Sequence, residues 1–435
     1  MSKQRDLNTL PAQDLEPVAV GGLLHRRIFL QGGGLAAAAF AAPGLAPGIA
    51  RAESLDVPAW TKNPEGYFTG YGAPSRFEAD VQRGPIGDQN PLYASGPGGI
   101  RAPIHALEGM ITPNGLHFEI THNGIPDIDP DAHRLVIHGL VDRPLSFSLD
   151  ALSRYPMTSR ISFVECAGNS GALVRPTAVP GNAQTLHGLV SCAEWTGVSL
   201  AVLLAEAGVD PKAKWLLAEA ADPSSVSRSI PIEKAMDDVM IALYQNGERI
   251  RPSNGYPMRL LVPGYQGNMN VKWLRQLKLT EAPMQTRYET SRYSLLLDGG
   301  RVAQYKFQLD AKSVIVRPSP GMGMRGPGLY EISGIAWSGA GKVRKVEVSA
   351  DGGQSWAEAA LSEPVLSKAL TRFRMPWRWD GGPAVLQSRV TDESGYEQPT
   401  REKLIAERGQ KNFYHCNCIT SWAVDAEGGV AHVYA

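Results

Sequence analysis

The chain has 435 residues, 43% of them hydrophobic and 20% charged, and its 43 basic side chains are matched by 43 acidic ones. That length exceeds one average domain, so two or three domains are expected. The balanced charge leaves no basic tract for nucleic acid, and beyond the N-terminal segment no apolar run is long enough to span a membrane, which excludes both partner classes.

The N-terminal residues 1–52 read as a targeting segment. Arg26 and Arg27 stand just before Phe29 and Leu30, a weakly apolar Gly/Ala-rich run follows, and Ala50-Arg51-Ala52 has the A-x-A form of a cleavage site. A Sec leader carries a more hydrophobic run with less glycine, and the remaining alternative is an ordinary short helix with two arginines. A twin-arginine signal is therefore expected, and with it a periplasmic protein exported already folded. Export after folding favours a redox cofactor inserted before transport.

Residues 53–105, which include "AWTKNPEGYFTGYGAPS", are rich in Pro, Gly and aromatics with little periodicity, as in an extended arm. From 106 to 305 strands and helices mix. "HRLVIHGLV" and "SRISFVECAG" have the composition of strands, and "SLAVLLAEAGV" has helical apolar spacing with Gly208 as its stop. "MRLLVPG" and "VKWLRQLKLTE" read as strands again. From 306 to 435 the segments shorten: "SVIVRPSPG", "LYEISGIAWSG", "VRKVEVSADGGQSWAEA", "TRFRMPWRW" and "AVLQSRVTDESG" alternate apolar and polar residues between turns. "DGGQSW" sits where a tight hairpin would. Strands at this spacing predict an antiparallel, immunoglobulin-like sandwich.

The chain holds four cysteines, Cys166, Cys192, Cys416 and Cys418. No C-x-x-C-H motif is present for covalent haem, so no haem is expected in this chain, and no C-x2-C pair suggests a zinc ribbon or iron–sulfur cluster. "HCNC" (415–418) is expected to be a flexible or interface tail rather than a metal site or a strained bridge.

Three stretches carry candidate chemistry. In "FVECAGNSG" (163–171) Cys166 has the residue type of a buried core thiol, yet the small residues after it let backbone approach a bound group, and a thiolate is a soft ligand for a redox metal. In "NGYPMRLLVPGYQGNMNVKWL" (254–274) Arg259 alternates out of an apolar strand and Lys272 follows a glycine-rich loop, a pairing that suits a phosphate or another planar anion. In "HFEITHNGIPDIDP" (117–130) His122 precedes a turn, where a lone histidine is ordinarily structural.

In this order the three stretches resemble the sulfite oxidase family of molybdenum enzymes. The likeness runs over roughly residues 108–435, through "CAGN", "IPDIDP…HRL", "SIPIEKAM", "GYPMRLLVPG", "VKWL" and "AWSGAGKVRKVEVSADGGQSW". Within the family the resemblance is to members that oxidise sulfane sulfur during thiosulfate oxidation. It implies an α+β chain, in which a mixed α/β molybdopterin domain (106–305) precedes an immunoglobulin-like dimerisation domain (306–435). It implies one molybdenum on molybdopterin, with Cys166 as the metal's thiolate ligand. Thr121, His122, Asp222, Asn254, Arg259, Asn270, Val271 and Lys272 match positions around the pterin and its phosphate. Asn254 and Asn270 stand where animal members carry histidine. Tyr293 matches an active-site tyrosine, and Arg374 in "RFRMPW" matches a pocket arginine.

The departures bear on substrate. Where members acting on free sulfite ring the pocket with arginines, this chain has Ile120 and Gly171, and Thr185 replaces a tryptophan. The resemblance thus implies a persulfide sulfur on a carrier protein's cysteine, oxidised to an S-sulfonate. It also implies a separate c-type cytochrome subunit and a homodimer through the sandwich within a heterotetramer. The alternatives are a sulfite:cytochrome c oxidoreductase, a reductase of the same family, and a non-catalytic periplasmic binding protein in which Cys166 is core packing.

Overall fold

The computed structural model describes residues 17–24, 68, 70–86, 98–304 and 306–435. Arg26, Arg27, Phe29 and the Ala50-Arg51-Ala52 site lie outside the described residues, as does the beginning of the arm.

Two five-stranded sheets form the first half. One runs Ser227–Pro231, Trp215–Ala220, Leu274–Thr280, Leu135–Gly139 and Leu145–Phe147, with a single parallel pair between Leu274–Thr280 and Leu135–Gly139. The other is antiparallel and joins Met157–Glu165, Val190–Ser199, Met240–Gln245, Glu248–Arg249 and Arg259–Leu261. Between them lies a core of Leu135, Ile137, Val198, Ile241, Leu260 and Leu277 with helix Leu200–Ala207. That helix buries Leu200, Leu203, Leu204 and Ala207, the i, i+3, i+4, i+7 stripe of an amphipathic helix. It ends at Gly208 (φ 71°), whose amide returns to the Leu204 and Ala205 carbonyls. The arm does not merely wrap the surface: Gly98–Arg101 pairs with Gly84–Pro85 and with Glu119–Thr121 in a third small sheet.

The second half is a sandwich. One sheet holds Lys312–Arg317, Gly328–Trp337 and Thr371–Trp379; the other holds Val343–Ser349, Ala384–Asp392, Ser421–Val424 and Val430–Val433. Trp377, Trp422 and Phe373 are wholly buried between the inner faces, where alternate residues of both sheets meet. The fold thus has the mixed α/β domain followed by the immunoglobulin-like sandwich that the sequence predicts. Pro17–Ala19 and Leu23–Leu24 extend the first sheet along Thr371–Trp379, with Leu23 opposite Trp377 and the Trp377 indole donating to the Gly21 carbonyl at 2.6 Å.

Two local expectations change. "DGGQSW" is not a two-residue hairpin turn; its wider loop closes on the Asp351 carboxylate, which accepts from the Gln354 amide, the Ser355 amide and the Ser355 hydroxyl. The "HCNC" segment is interior rather than a flexible tail. Cys416 and Cys418 are buried against Leu173, Val174 and Leu404, with free sulfurs 3.7 Å apart. Apolar surroundings on both sides explain this, since the segment runs between the two domains.

Candidate functional site

Strand Met157–Glu165 ends at Cys166, where the ladder with Val190–Ser199 gives out and the chain turns. The turn closes through the Asn169 amide on the Cys166 carbonyl (2.9 Å) and the Gly171 amide on the Gly168 carbonyl (3.2 Å), with Ser170 in the left-handed region at φ 64°. Cys166 is thereby aimed into a cavity that opens to solvent. Burial pushes its thiol up to about 11, so the thiolate needs a cation beside it to persist.

The opposite wall is the strand Arg259–Leu261 and the loop after it. The Arg259 guanidinium is buried, donates to the Asn254 carbonyl (2.9 Å) and the Asn270 carbonyl (3.0 Å), and lies 4.9 Å from the Trp195 ring centroid. Desolvation lowers its pKa to about 9. Lys272 donates to the Ile120 and Ser253 carbonyls, both at 2.8 Å, and desolvation with the nearby Arg259 charge lowers it to about 7. The Asn270 side chain is used internally: its oxygen accepts from the Val262 amide at 2.7 Å and its amide group donates to the Gln266 carbonyl. Gly267 is required by close approach, because a Cβ there would sit 2.8 Å from the Glu165 carbonyl oxygen, behind Cys166.

A third side carries His122 and Tyr293, joined by a 2.8 Å hydrogen bond between Nε2 and the phenol oxygen. Tyr293 is buried at φ 52°, and burial together with the adjacent Cys166 raises its pKa well above the usual phenol range. Backbone strain of this kind persists where the surroundings over-determine it. Arg228 lies 5.3 Å from the Tyr293 ring and donates to the Tyr288 carbonyl at 2.9 Å. Asp222 closes a turn by accepting from the Ser224 and Val226 amides, and the Thr121 hydroxyl is taken by the Gly124 carbonyl.

Behind the thiol turn the sandwich domain intervenes. Glu165 accepts from Lys312 Nζ (3.0 Å), Asn169 Nδ2 (2.9 Å) and the Trp337 indole (2.7 Å), all buried. Lys312 also donates to the Ser170 hydroxyl (2.5 Å), which is held by His187 Nδ1 at 2.7 Å. From the other flank the His415 amide donates to the Ala167 carbonyl at 2.8 Å.

The structure gathers Cys166, Thr121, His122, Asp222, Asn254, Arg259, Asn270, Val271, Lys272 and Tyr293 around this one cavity. Arg374 is not brought to it. It belongs to a separate cluster on strand Thr371–Trp379, paired with Glu108 (2.9 Å) and Glu331 (3.4 Å), and those two carboxylates hold it there. Ile120 lines the cavity, Gly171 lies beneath Phe413, and Thr185 is exposed on helix Ala183–His187. Residues the sequence reading passed over are His117, Asn268 and Arg228. His117 and Asn268 lie inside the stretches already singled out, so proximity in sequence was the available signal; Arg228 had none.

Among the described residues no group of three or more His, Cys, Asp or Glu side chains could hold a metal ion by itself. A metal at Cys166 therefore has one protein ligand and must bring its other ligands with it. The cavity fits such a group. Asn254 Nδ2, Arg259 Nε, His117 Nε2 and Asn268 Oδ1 are buried there without protein partners, and buried polar atoms are ordinarily satisfied. Two desolvated cations face the same space as the thiol, as an anionic organic ligand of a soft metal requires.

Comparison with known proteins agrees. Residues 122–288 match the oxidoreductase molybdopterin binding domain and residues 303–422 the Mo-co oxidoreductase dimerisation domain. The crystal structure of the sulfane dehydrogenase SoxCD from Paracoccus pantotrophus is similar at a TM-score of 0.84 and 44% identity, covering 87% of this chain and 98% of that one. Mouse mitochondrial sulfite oxidase is 32% identical over 294 residues, covering 63% of this chain and 53% of that protein. The NADH nitrate reductase of Ulva prolifera is 28% identical over 309 residues, covering 64% of this chain and 36% of that protein. The chain thus spans about half of one of these two relatives and about a third of the other. With both domains matched in order and the cavity built around Cys166, the chain belongs to the sulfite oxidase family of molybdopterin oxidoreductases.

Proposed function

We propose that this chain is the molybdenum subunit of a periplasmic sulfane dehydrogenase. Its substrate is a cysteine persulfide on a carrier protein, its product the cysteine S-sulfonate, and its electron acceptor a c-type cytochrome subunit. The observation that supports this most strongly is the likeness to SoxCD, at 44% identity over nearly all of that chain. Per sulfur, a persulfide anion and three waters give the S-sulfonate, six protons and six electrons, so three two-electron turnovers are needed.

When bound, molybdenum on molybdopterin supplies two-electron oxygen-atom transfer; the protein supplies position and field. Cys166 would hold the metal. Asn254, Arg259 and Lys272, with His122, Thr121, Asp222 and the backbone of Asn270 and Val271, would hold the pterin and its phosphate. The Tyr293 hydroxyl is fixed by His122, so it can hold a proton at one oxygen next to the reacting centre. Arg228, beside Tyr293, adds positive charge on that side of the site, where the sequence reading expected Arg374 as the pocket arginine. A homodimer through the sandwich, within a heterotetramer with the cytochrome, completes the assembly.

Sulfite:cytochrome c oxidoreductase activity is the second reading, favoured by the 32% identity to a sulfite oxidase. Metal analysis of the purified holoprotein, then steady-state assays with persulfidated carrier or sulfite and cytochrome c, decide between them. Molybdenum with turnover of the persulfide carrier is the expected result. Efficient turnover of sulfite alone rejects it, and absence of molybdenum from correctly matured protein rejects both.

A further inference from the structure

The segment Asn412–His415 of the second domain lies directly over the thiol turn of the first. The His415 amide is bonded to the Ala167 carbonyl at 2.8 Å, and Arg408 clamps the His415 carbonyl at 2.8 Å. Phe413 covers the glycines: a Cβ at Gly171 would meet the Phe413 carbonyl oxygen at 2.8 Å and its Cβ at 3.1 Å. A Cβ at Gly168 would lie 3.7 Å from the Phe413 ring and 3.9 Å from Cys166 Sγ. No side chain, cationic or otherwise, has room at Gly171 while Phe413 is there.

The rings then form a row. Phe413 and Tyr414 have centroids 4.2 Å apart, Tyr414 and Tyr293 5.3 Å, and Tyr293 packs with Tyr288 and Ala167. Tyr293 is buried in the cavity with Cys166, whereas Phe413 at the other end is 48% exposed. The row of rings thus runs from the exposed Phe413 to Tyr293 on the cavity wall, and its two ring-to-ring steps equal the reach of about three extended residues.

We propose that Phe413 and Tyr414 form the specificity-determining wall of the substrate passage, against which an extended polypeptide arm carrying the reacting sulfur lies. This rests on the persulfide reading. A hydrated dianion gains little from an aromatic face, whereas a peptide stacked along it buries area against rigid rings. The arm's length lets its terminal sulfur reach past Tyr414 to Tyr293 and Cys166 while its backbone stays on Phe413.

The test uses holoenzyme, wild type, Phe413→Ala and Phe413→Trp. The substrates are a single-cysteine peptide of about six residues as its persulfide, and cysteamine persulfide, which has no arm. Phe413→Ala should raise KM for the peptide roughly tenfold, the effect of truncating an aromatic anchor. It should leave kcat and the KM for cysteamine persulfide essentially unchanged, and Phe413→Trp should restore the peptide KM. The S-alkylated, unreactive peptide gives a second readout, its Kd by calorimetry weakening by the same factor. An unchanged peptide KM and Kd in Phe413→Ala overturns the wall, as does equal impairment with both persulfides. Wild-type enzyme that oxidises neither persulfide overturns the functional reading instead, and the alkylated-peptide Kd still decides the wall.

Discussion

Replacing Lys312 by methionine should destabilise the protein far more than an ordinary single substitution. The Lys312 and Glu165 side chains are 2% and 5% exposed and 3.0 Å apart. Methionine keeps most of the volume, so packing changes little. What remains is a buried carboxylate served only by Asn169 and the Trp337 indole. Breaking a buried pair from one side costs about 3–5 kcal/mol, because the surviving charge stays desolvated. The double change Lys312→Met with Glu165→Gln removes that charge, keeps an acceptor for the indole, and should recover about 2 kcal/mol through coupling. Guanidinium unfolding of the wild type, both singles and the double, read by circular dichroism and by tryptophan fluorescence, measures the cycle. A Lys312→Met cost under about 1 kcal/mol, or additivity across the cycle, would refute the claim that this pair pins the thiol turn to the second domain.

Cys166→Ser replaces a soft thiolate with a poor ligand; molybdenum content should fall to near nothing while stability changes by less than about 1 kcal/mol, as elemental analysis and unfolding will show. Desolvation lowers Lys272 to about 7 rather than the usual lysine range, so below pH 7 its ammonium is ready to bind an anion. Above pH 7 binding must first take up a proton, and affinity for the pterin phosphate should weaken by up to about tenfold per pH unit; isothermal titration of metal-free protein from pH 6 to 9 checks this, and a flat profile would count against Lys272. Cys192, Cys416 and Cys418 are each no more than 2% exposed, so a thiol reagent should label one cysteine, Cys166, in native metal-free protein and four in denaturant.

Much of this was legible in the sequence because it is local. The helix at 200–207 announces itself by apolar spacing and its glycine stop, and the sandwich strands by alternation between turns. Most of the cavity residues were found because they fall in three short stretches whose order resembles a family, and Asp222 and Tyr293, outside those stretches, came from the resemblance alone. What stayed hidden depends on contacts between distant segments. Arg374 has the same residue type and strand context as a pocket arginine, and only its fold neighbours Glu108 and Glu331 show that it is engaged elsewhere. "HCNC" is polar and near the C terminus, so nothing local shows that Leu173 and Leu404 enclose it. Strand Ser421–Val424 is short, and its partner Ala384–Asp392 lies some thirty residues upstream.

The two domains divide the site between them. Arg259, Lys272, Asn254 and His122 all come from the first domain, so recognition of an anionic cofactor is complete within it. The turn bearing Cys166 is different: Lys312 and Trp337 hold its underside and the His415 amide its flank, all from the second domain. A fault in the first set should therefore weaken cofactor binding while leaving the thiol in place. A fault in the second should leave the anion wall intact but misplace the thiol, and a displacement of about 1 Å at a reacting centre can cost about a hundredfold in rate. The sandwich is thus a structural part of the active site, whatever it contributes to dimerisation.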